Sequence, residues 1–341
     1  MSVIEDLRGK VNLGEKEVTN VNSSDFPGEY SGFDDGWSQS KFEKAFRIDV
    51  VKIDDRDMEF DMVGIDPALA NSFRRILLEE VPTMAIDRIE IRNNTSIVSD
   101  EILAHRLGLV PIKADARLFE YRPKDSTEMT ATDSIGFKLQ VKCQKNLKAS
   151  KGTLDKNELY NHFKVTTKDL IWFPVGDQTY TDENEIPKPA DDDILIAKLK
   201  PGQEIDIVCY CFKGIGKDHA KFSPVATAFY RNLPEIKLLR KVTGRDAELL
   251  KSSFSEGVIE LVPDENGVME ARVVDSRKDM LSRNAFRYEE LKGAFQINLI
   301  IKHFIFSVES TGVMPPEVLV SEAIKVLMKK CKHFLKEIDD I

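Results

Sequence analysis

Residues that could do chemistry crowd into one stretch, "KGIGKDHAKFSPVATAFYR", Lys213 to Arg231, with two glycines, several lysines, a histidine and a serine. Gly214-x-Gly216-x-x-His219 follows a strand-like run and loosely suggests a dinucleotide fingerprint. That motif needs a third glycine and must open a helix whose N-terminus holds the pyrophosphate; here Pro224 and β-forming residues follow instead. A nucleophile arrangement of Ser223, His219 and Lys217 lacks an acidic orienting group. The stretch therefore reads as a loop that re-enters a larger fold and is pinned by hydrogen bonds. Cys209 and Cys211 share one face of a strand, as two metal ligands would, but no second Cys or His pair accompanies them. With Cys143 and Cys331 they read as packing residues, and no metal or cofactor is expected. "DDD" at 191 to 193 reads as a solvated turn.

Composition narrows the classes further. With 49 basic against 58 acidic residues and a formal charge of -9, no global attraction to nucleic acid or anionic membrane is expected. Four scattered cysteines make no disulfide framework and predict a reducing compartment. "MSVIEDLRGK" carries no apolar run and nothing later approaches about 18 uninterrupted apolar residues, so neither a secretory signal nor a membrane span is expected.

The elements that must position these residues follow from pattern. Residues 1–40, rich in Asp, Gly, Ser and Asn, read as an extended N-terminal arm. Phe46, Ile48 and Val50, then Met58, Phe60 and Met62, alternate as a hairpin of two half-buried strands. In "GIDPALANSFRRILLEEVP" Asp66 is the expected N-cap, Pro67 the first helical residue and Pro82 the stop. Leu69, Phe73, Ile76 and Leu77 form the apolar stripe of this helix, with Asn71, Arg74 and Arg75 on its other side. "DRIEIRNN" is a short strand, and "SDEILAHRLGLVP" a short helix with Gly108 just past its end. From about 112 to 220 the pattern is strands and loops. Residues 240–285 give no decisive pattern. The chain closes on a long helix whose apolar face carries Leu319, Ala323, Val326, Leu327, Cys331, Phe334 and Leu335, beside a lysine-rich face that reads as solvated.

Five segments in this order carry a family resemblance: "ALANSFRRILLEEVP", "DEILAHRLGLVPI", "AKLKPGQEI", "HAKFSPVATAFYR" and "FSVESTGVMPPE". Together they resemble the α-subunit family of cellular RNA polymerases from about residue 40 to the end. Within it they are most similar to the larger α-like subunits shared by eukaryotic polymerases I and III. The resemblance implies an α+β fold. A discontinuous dimerisation domain, a sheet plus two long helices, spans 41–84 and 221–341, and a mainly β insert domain spans 85–220.

The resemblance further implies a non-catalytic assembly subunit of the nucleus, including the nucleolus, serving synthesis of ribosomal RNA, 5S RNA and tRNA. The subunit would heterodimerise with a smaller α-like partner and dock the two largest subunits, without touching nucleic acid. Leu69, Phe73, Ile76, Leu77, Leu319, Ala323, Val326, Leu327 and Phe334 are then expected in core and partner contacts. Asn71, Arg74, Arg75, Lys217, His219 and Lys221 are expected to face a large subunit. The polymerase II counterpart is the competing reading, disfavoured because "KADARLFEYRPKDSTEMTATDS" lacks the zinc-binding cysteines that subunit carries there. A stand-alone enzyme using the His219 region is the more remote one.

Overall fold

The computed structural model describes residues 9–21, 36–123, 128–149, 154–180, 182, 185–265 and 267–340. In chain order its main elements begin with strands β1 (Lys10–Leu13) and β2 (Val18–Thr19), helix α1 (Gln39–Ala45), and the hairpin β3 (Arg47–Ile53) and β4 (Asp57–Val63). Helix α2 (Pro67–Glu79), strand β5 (Thr83–Asn94) and helix α3 (Asp100–Gly108) follow. Next come β6 (Ser134–Lys142), β7 (Leu170–Phe173), β8 (Glu204–Gly214) and β9 (Val225–Leu238). The chain ends with helix α4 (Gly244–Ser253), the hairpin β10 (Ile259–Pro263) and β11 (Met269–Val273), strand β12 (Phe295–Ser310) and helix α5 (Pro316–Asp339). No helix among the described residues is long and apolar enough to cross a membrane.

Two compact units divide the chain, Met1–Val51 with Glu59–Asn71 and Phe229–Phe306, and Lys52–Met58 with Ser72–Ala228 and Ser307–Ile341. The first holds most of a six-stranded sheet of order β2-β1-β12-β4-β3, with β9 also paired to β12. Phe60 stacks on Phe306 at 5.2 Å, and Tyr230 meets Phe304 edge-on at the same separation. Such aromatic pairs add specific geometry to the area they bury. A second core in this unit gathers Val242, Leu250, Val258 and Leu291, which organises residues 240–285 as α4 against the β10–β11 hairpin.

The second unit contains the sheet β7-β6-β8-β5. Strand β8 runs antiparallel to β5 and to β6, with Cys209 opposite Ile89 and Phe137. One face of this sheet and helix α3 close a core that includes Leu103, Leu107, Phe137, Leu139 and Ile207.

Several expectations change. Only β4 of the first hairpin is buried, at Met58, Phe60 and Met62, while every residue of β3 is exposed. Strand β5 runs for 12 residues rather than a short "DRIEIRNN", because it is clamped along β8. Gly108 lies inside α3, and the αR residue Leu109 caps the helix. Part of the N-terminal segment is a sheet strand: Lys10 pairs with Ile300, and Leu13 is buried. Residues 1–8 and 22–35 of the segment lie outside the described residues.

Candidate functional site

The "KGIGKDHAKF" loop is built as a crossing. Strand β8 ends at Gly214, where a Cβ would meet the Phe222 ring at 2.6 Å. At Gly216 a Cβ would fall 2.4 Å from the Leu78 carbonyl oxygen. Glycine is needed at both positions because another group already occupies the space. The loop can then lie against the end of α2, where the Lys217 backbone N–H donates to the Glu79 carbonyl at 2.8 Å. That bond satisfies one of the carbonyls a helix leaves open at its C-terminus. Beyond it, His219 caps a short 3-10 turn, Ala220–Phe222, its Nδ1 accepting from the Lys221 N–H at 3.1 Å. The Thr83 hydroxyl donates to the Phe222 carbonyl at 2.7 Å. Strand β9 starts at Val225, after this turn.

The same geometry spends the groups that looked reactive. Ser223 Oγ donates to the Val225 carbonyl, and the His219 Nδ1 acceptor is used within the turn. The Lys221 ammonium donates to the Ile86 carbonyl at 3.1 Å and to Asp87 Oδ1. Lys221 is half-buried and pins the loop to β5, leaving Lys217 and His219 as its exposed polar side chains among the docking candidates. Cys209 and Cys211 are sealed in the second unit's core, where burial pushes the Cys209 thiol up to about 12 and Cys211 well above the usual thiol range. A thiol must ionise to ligate a metal or attack an electrophile, so both pack as small apolar groups.

On α2, Phe73, Ile76 and Leu77 are buried within the chain, while Leu69 is exposed. Asn71 and Arg74 are half-buried and Arg75 is exposed, its guanidinium 3.4 Å from Glu79 one turn on. An exposed pair of this kind contributes about 0–1 kcal/mol, so redirecting Arg75 costs little.

Helix α5 changes character along its length. Leu319 and Ala323 are buried, Val326 and Leu327 are half-buried, and Phe334 is 67% exposed. Met328, Leu335 and Ile338 are also more than half exposed. Continued on the sequence's helical spacing, they leave the C-terminal half of α5 with an apolar stripe facing outward.

Two features escaped sequence reasoning. One is the exposure of β3, signalled by the Val50-Val51 doublet, which puts apolar side chains on both faces. The other is a charge cluster in the first unit, drawn from residues far apart in sequence. Arg277 donates to Asp61 Oδ2 at 2.7 Å and to Glu59, and His303 Nε2 lies 2.8 Å from the same Asp61 oxygen. Burial alone would push the Asp61 carboxyl up, but hydrogen bonds and charge from Arg277 and His303 hold it below the usual carboxylate value.

The described residues thus present an outward apolar stripe on α5 and the polar side chains of Asn71, Arg74 and Arg75 on α2. Residues 59–331 match the RNA polymerase Rpb3/Rpb11 dimerisation domain, and the chain belongs to that family. It is 57% identical over 338 residues to the mouse "DNA-directed RNA polymerases I and III subunit RPAC1", covering 99% of this chain and 97% of that protein. Identity to the subunit of the same name from Saccharomyces cerevisiae is 42%, with 95% of this chain and 96% of the yeast protein covered. "DNA-directed RNA polymerase II subunit rpb3" of Dictyostelium discoideum is 29% identical, with 85% of this chain and 94% of that protein covered.

Proposed function

We propose that this chain is the larger α-like subunit of DNA-directed RNA polymerases I and III. It is a non-catalytic scaffold that heterodimerises with a smaller α-like subunit and docks the two largest subunits. The observation that carries the partner reading is the outward apolar stripe of α5, in a chain that belongs to a dimerisation-domain family. Apolar area of this kind on a soluble assembly marks a protein contact. The polymerase I and III relatives, at 57% and 42% identity, favour those enzymes over polymerase II at 29%.

In this reading residues 41–84 and 221–341 form the dimerisation domain and 85–220 an inserted, mainly β domain. Supporting it, the core around Phe137 and Ile207 draws its fully buried residues from Met84 to Cys211. Leu69 and Phe334 meet the partner, with Val326 and Leu327 at the margin, while Phe73, Ile76, Leu77, Leu319 and Ala323 support them from the chain's own interior. Asn71, Arg74, Arg75, Lys217 and His219 face a large subunit, and Lys221 holds their loop in place. An arginine fork suits carboxylates and carbonyls in a desolvated contact. The subunit works in the nucleus, including the nucleolus, where ribosomal RNA is made.

Affinity purification of the tagged chain tests the assignment. The expected yield is one smaller α-like subunit together with two different largest subunits. Recovery of the chain alone, as a soluble species with turnover of its own, refutes it. Arg75→Ala should leave the heterodimer intact and weaken capture of the second-largest subunit. Normal recovery of that subunit at high salt refutes the docking role.

A further inference from the structure

The C-terminal half of α5 carries charge as well as apolar surface. Ile324, Met328, Cys331, Leu335 and Ile338 follow one another in steps of four, three, four and three, the spacing of a coiled-coil seam, and all five are exposed. Each of the first four is followed directly by a lysine, giving Lys325, Lys329, Lys332 and Lys336, until Asp339 ends the row. A neighbour in sequence lies about 100° further round a helix, so the four lysines line one flank of the seam along its length. The other flank is apolar, with Leu327 and Phe334, and the lysine beyond it, Lys330, is bound to Glu80 at 2.7 Å. Lys325 pairs with Glu322 at 2.7 Å, whereas Lys329, Lys332 and Lys336 make no ion pair among the described residues. In a chain of formal charge -9 the row is a local reversal of sign.

We infer that the lysine row selects the partner of α5: the helix that covers the apolar seam carries a row of carboxylates against Lys325, Lys329, Lys332 and Lys336. The inference deepens the reading of α5 as the heterodimer contact and rests on it. Seam and row side by side decide among occupants. A nucleic acid backbone neutralises lysines but leaves the seam in water. A helix lying in an anionic membrane surface meets headgroups along both borders of its apolar face, and here one border is Leu327 and Phe334, with Glu337 beyond. A second copy of this chain, crossing antiparallel, sets lysine row on lysine row, so the charge that invites an acidic helix also rejects self-pairing. An amphipathic helix with one acidic flank satisfies seam and row together, as flanking charges do across coiled-coil seams, where they set partner choice and orientation.

Dilution of the co-expressed heterodimer over a range of sodium chloride concentrations tests this. The Kd of the unaltered pair should rise with salt, because exposed ion pairs are screened; a Kd that is flat or falls between about 0.05 M and 0.5 M overturns the inference. A second arm combines Lys329→Gln, Lys332→Gln and Lys336→Gln, which remove three exposed charges without touching a bond within the chain. The triple variant should keep the urea midpoint of the chain, weaken the heterodimer roughly 3- to 100-fold and lose most of its salt dependence. Changing the partner's facing carboxylates to lysine should weaken the unaltered pair, and combining that change with Lys332→Glu should restore part of the affinity. A Kd within about twofold in the triple variant overturns the inference and leaves the scaffold reading standing. Binding of the assembled heterodimer to phosphatidylserine vesicles or single-stranded RNA, lost in the triple variant, also overturns it. If no smaller α-like subunit co-purifies with the unaltered chain, the scaffold reading fails and this inference falls with it.

Discussion

Replacing Phe334 by alanine separates what the chain buries by itself from what it buries against its partner. On the chain the Phe334 side chain is 67% exposed, so little of its apolar surface contributes to the fold. Full burial of a phenylalanine stabilises by about 1.5–3 kcal/mol, and covering the exposed two-thirds contributes about 1–2 kcal/mol. At about 1.4 kcal/mol per tenfold, F334A should weaken the heterodimer by roughly 5- to 30-fold while leaving the urea midpoint of the chain within error. Phe73→Ala is the contrasting perturbation. That ring is only 3% exposed, and its removal should cost about 3–5 kcal/mol of stability, felt before any partner binds. The assay is dilution of a co-expressed, fluorescently labelled heterodimer to read Kd, paired with urea unfolding of each variant. The reasoning is refuted if F334A leaves Kd within about twofold, or lowers the urea midpoint as far as F73A does.

Three further outcomes follow from the geometry. Gly216→Ala forces a Cβ into the Leu78 carbonyl and breaks the Lys217–Glu79 bond, so overpacking plus a lost hydrogen bond should cost about 2–4 kcal/mol, read as a lower urea midpoint; an unchanged midpoint contradicts the crossing geometry. The folded Asp61 carboxyl titrates below its ordinary value, so its stabilisation is full at neutral pH and is lost as pH falls through the ordinary carboxylate range to the lower folded-state value; Asp61→Asn should flatten this acid limb of the stability curve, and an equally steep limb in both proteins counts against the cluster. His219→Ala removes a cap worth about 0.5–1.5 kcal/mol and should reduce assembly yield with no change in transcription rate per assembled enzyme; a slowed rate in fully assembled enzyme reopens a catalytic role.

Elements with a local signal were legible in the sequence. Asp66 accepts from the Ala68 N–H at 2.8 Å and Pro67 opens α2, as the capping pattern predicts. The alternation at Ile135, Phe137 and Leu139 gives a strand whose inner face is fully buried. The stretch from Lys213 was legible as a loop re-entering a larger fold, but the reason for its two glycines was not. Neither needs a left-handed backbone; each leaves room for a group from elsewhere, the Phe222 ring and the end of α2, which spacing along the chain does not encode. The Asp61–Arg277–His303 cluster was invisible for the same cause, since Asp61 lies more than two hundred residues from each of its two partners.

The division of an apolar stripe between core and partner is a harder limit, because it lies in the physics of burial. Hydrophobic periodicity records that a face is kept from water and carries no mark of whose atoms cover it. Along α5 the stripe passes without a break from Leu319 and Ala323, fully buried, through half-buried Val326 and Leu327, to exposed Phe334, Leu335 and Ile338. Only the fold shows where the chain's own cover ends, and that point divides substitutions that unfold the subunit from those that release its partner. A chain whose surface continues the grammar of a core in this way is incomplete alone, and its stability is expected to rise with the concentration of its partner.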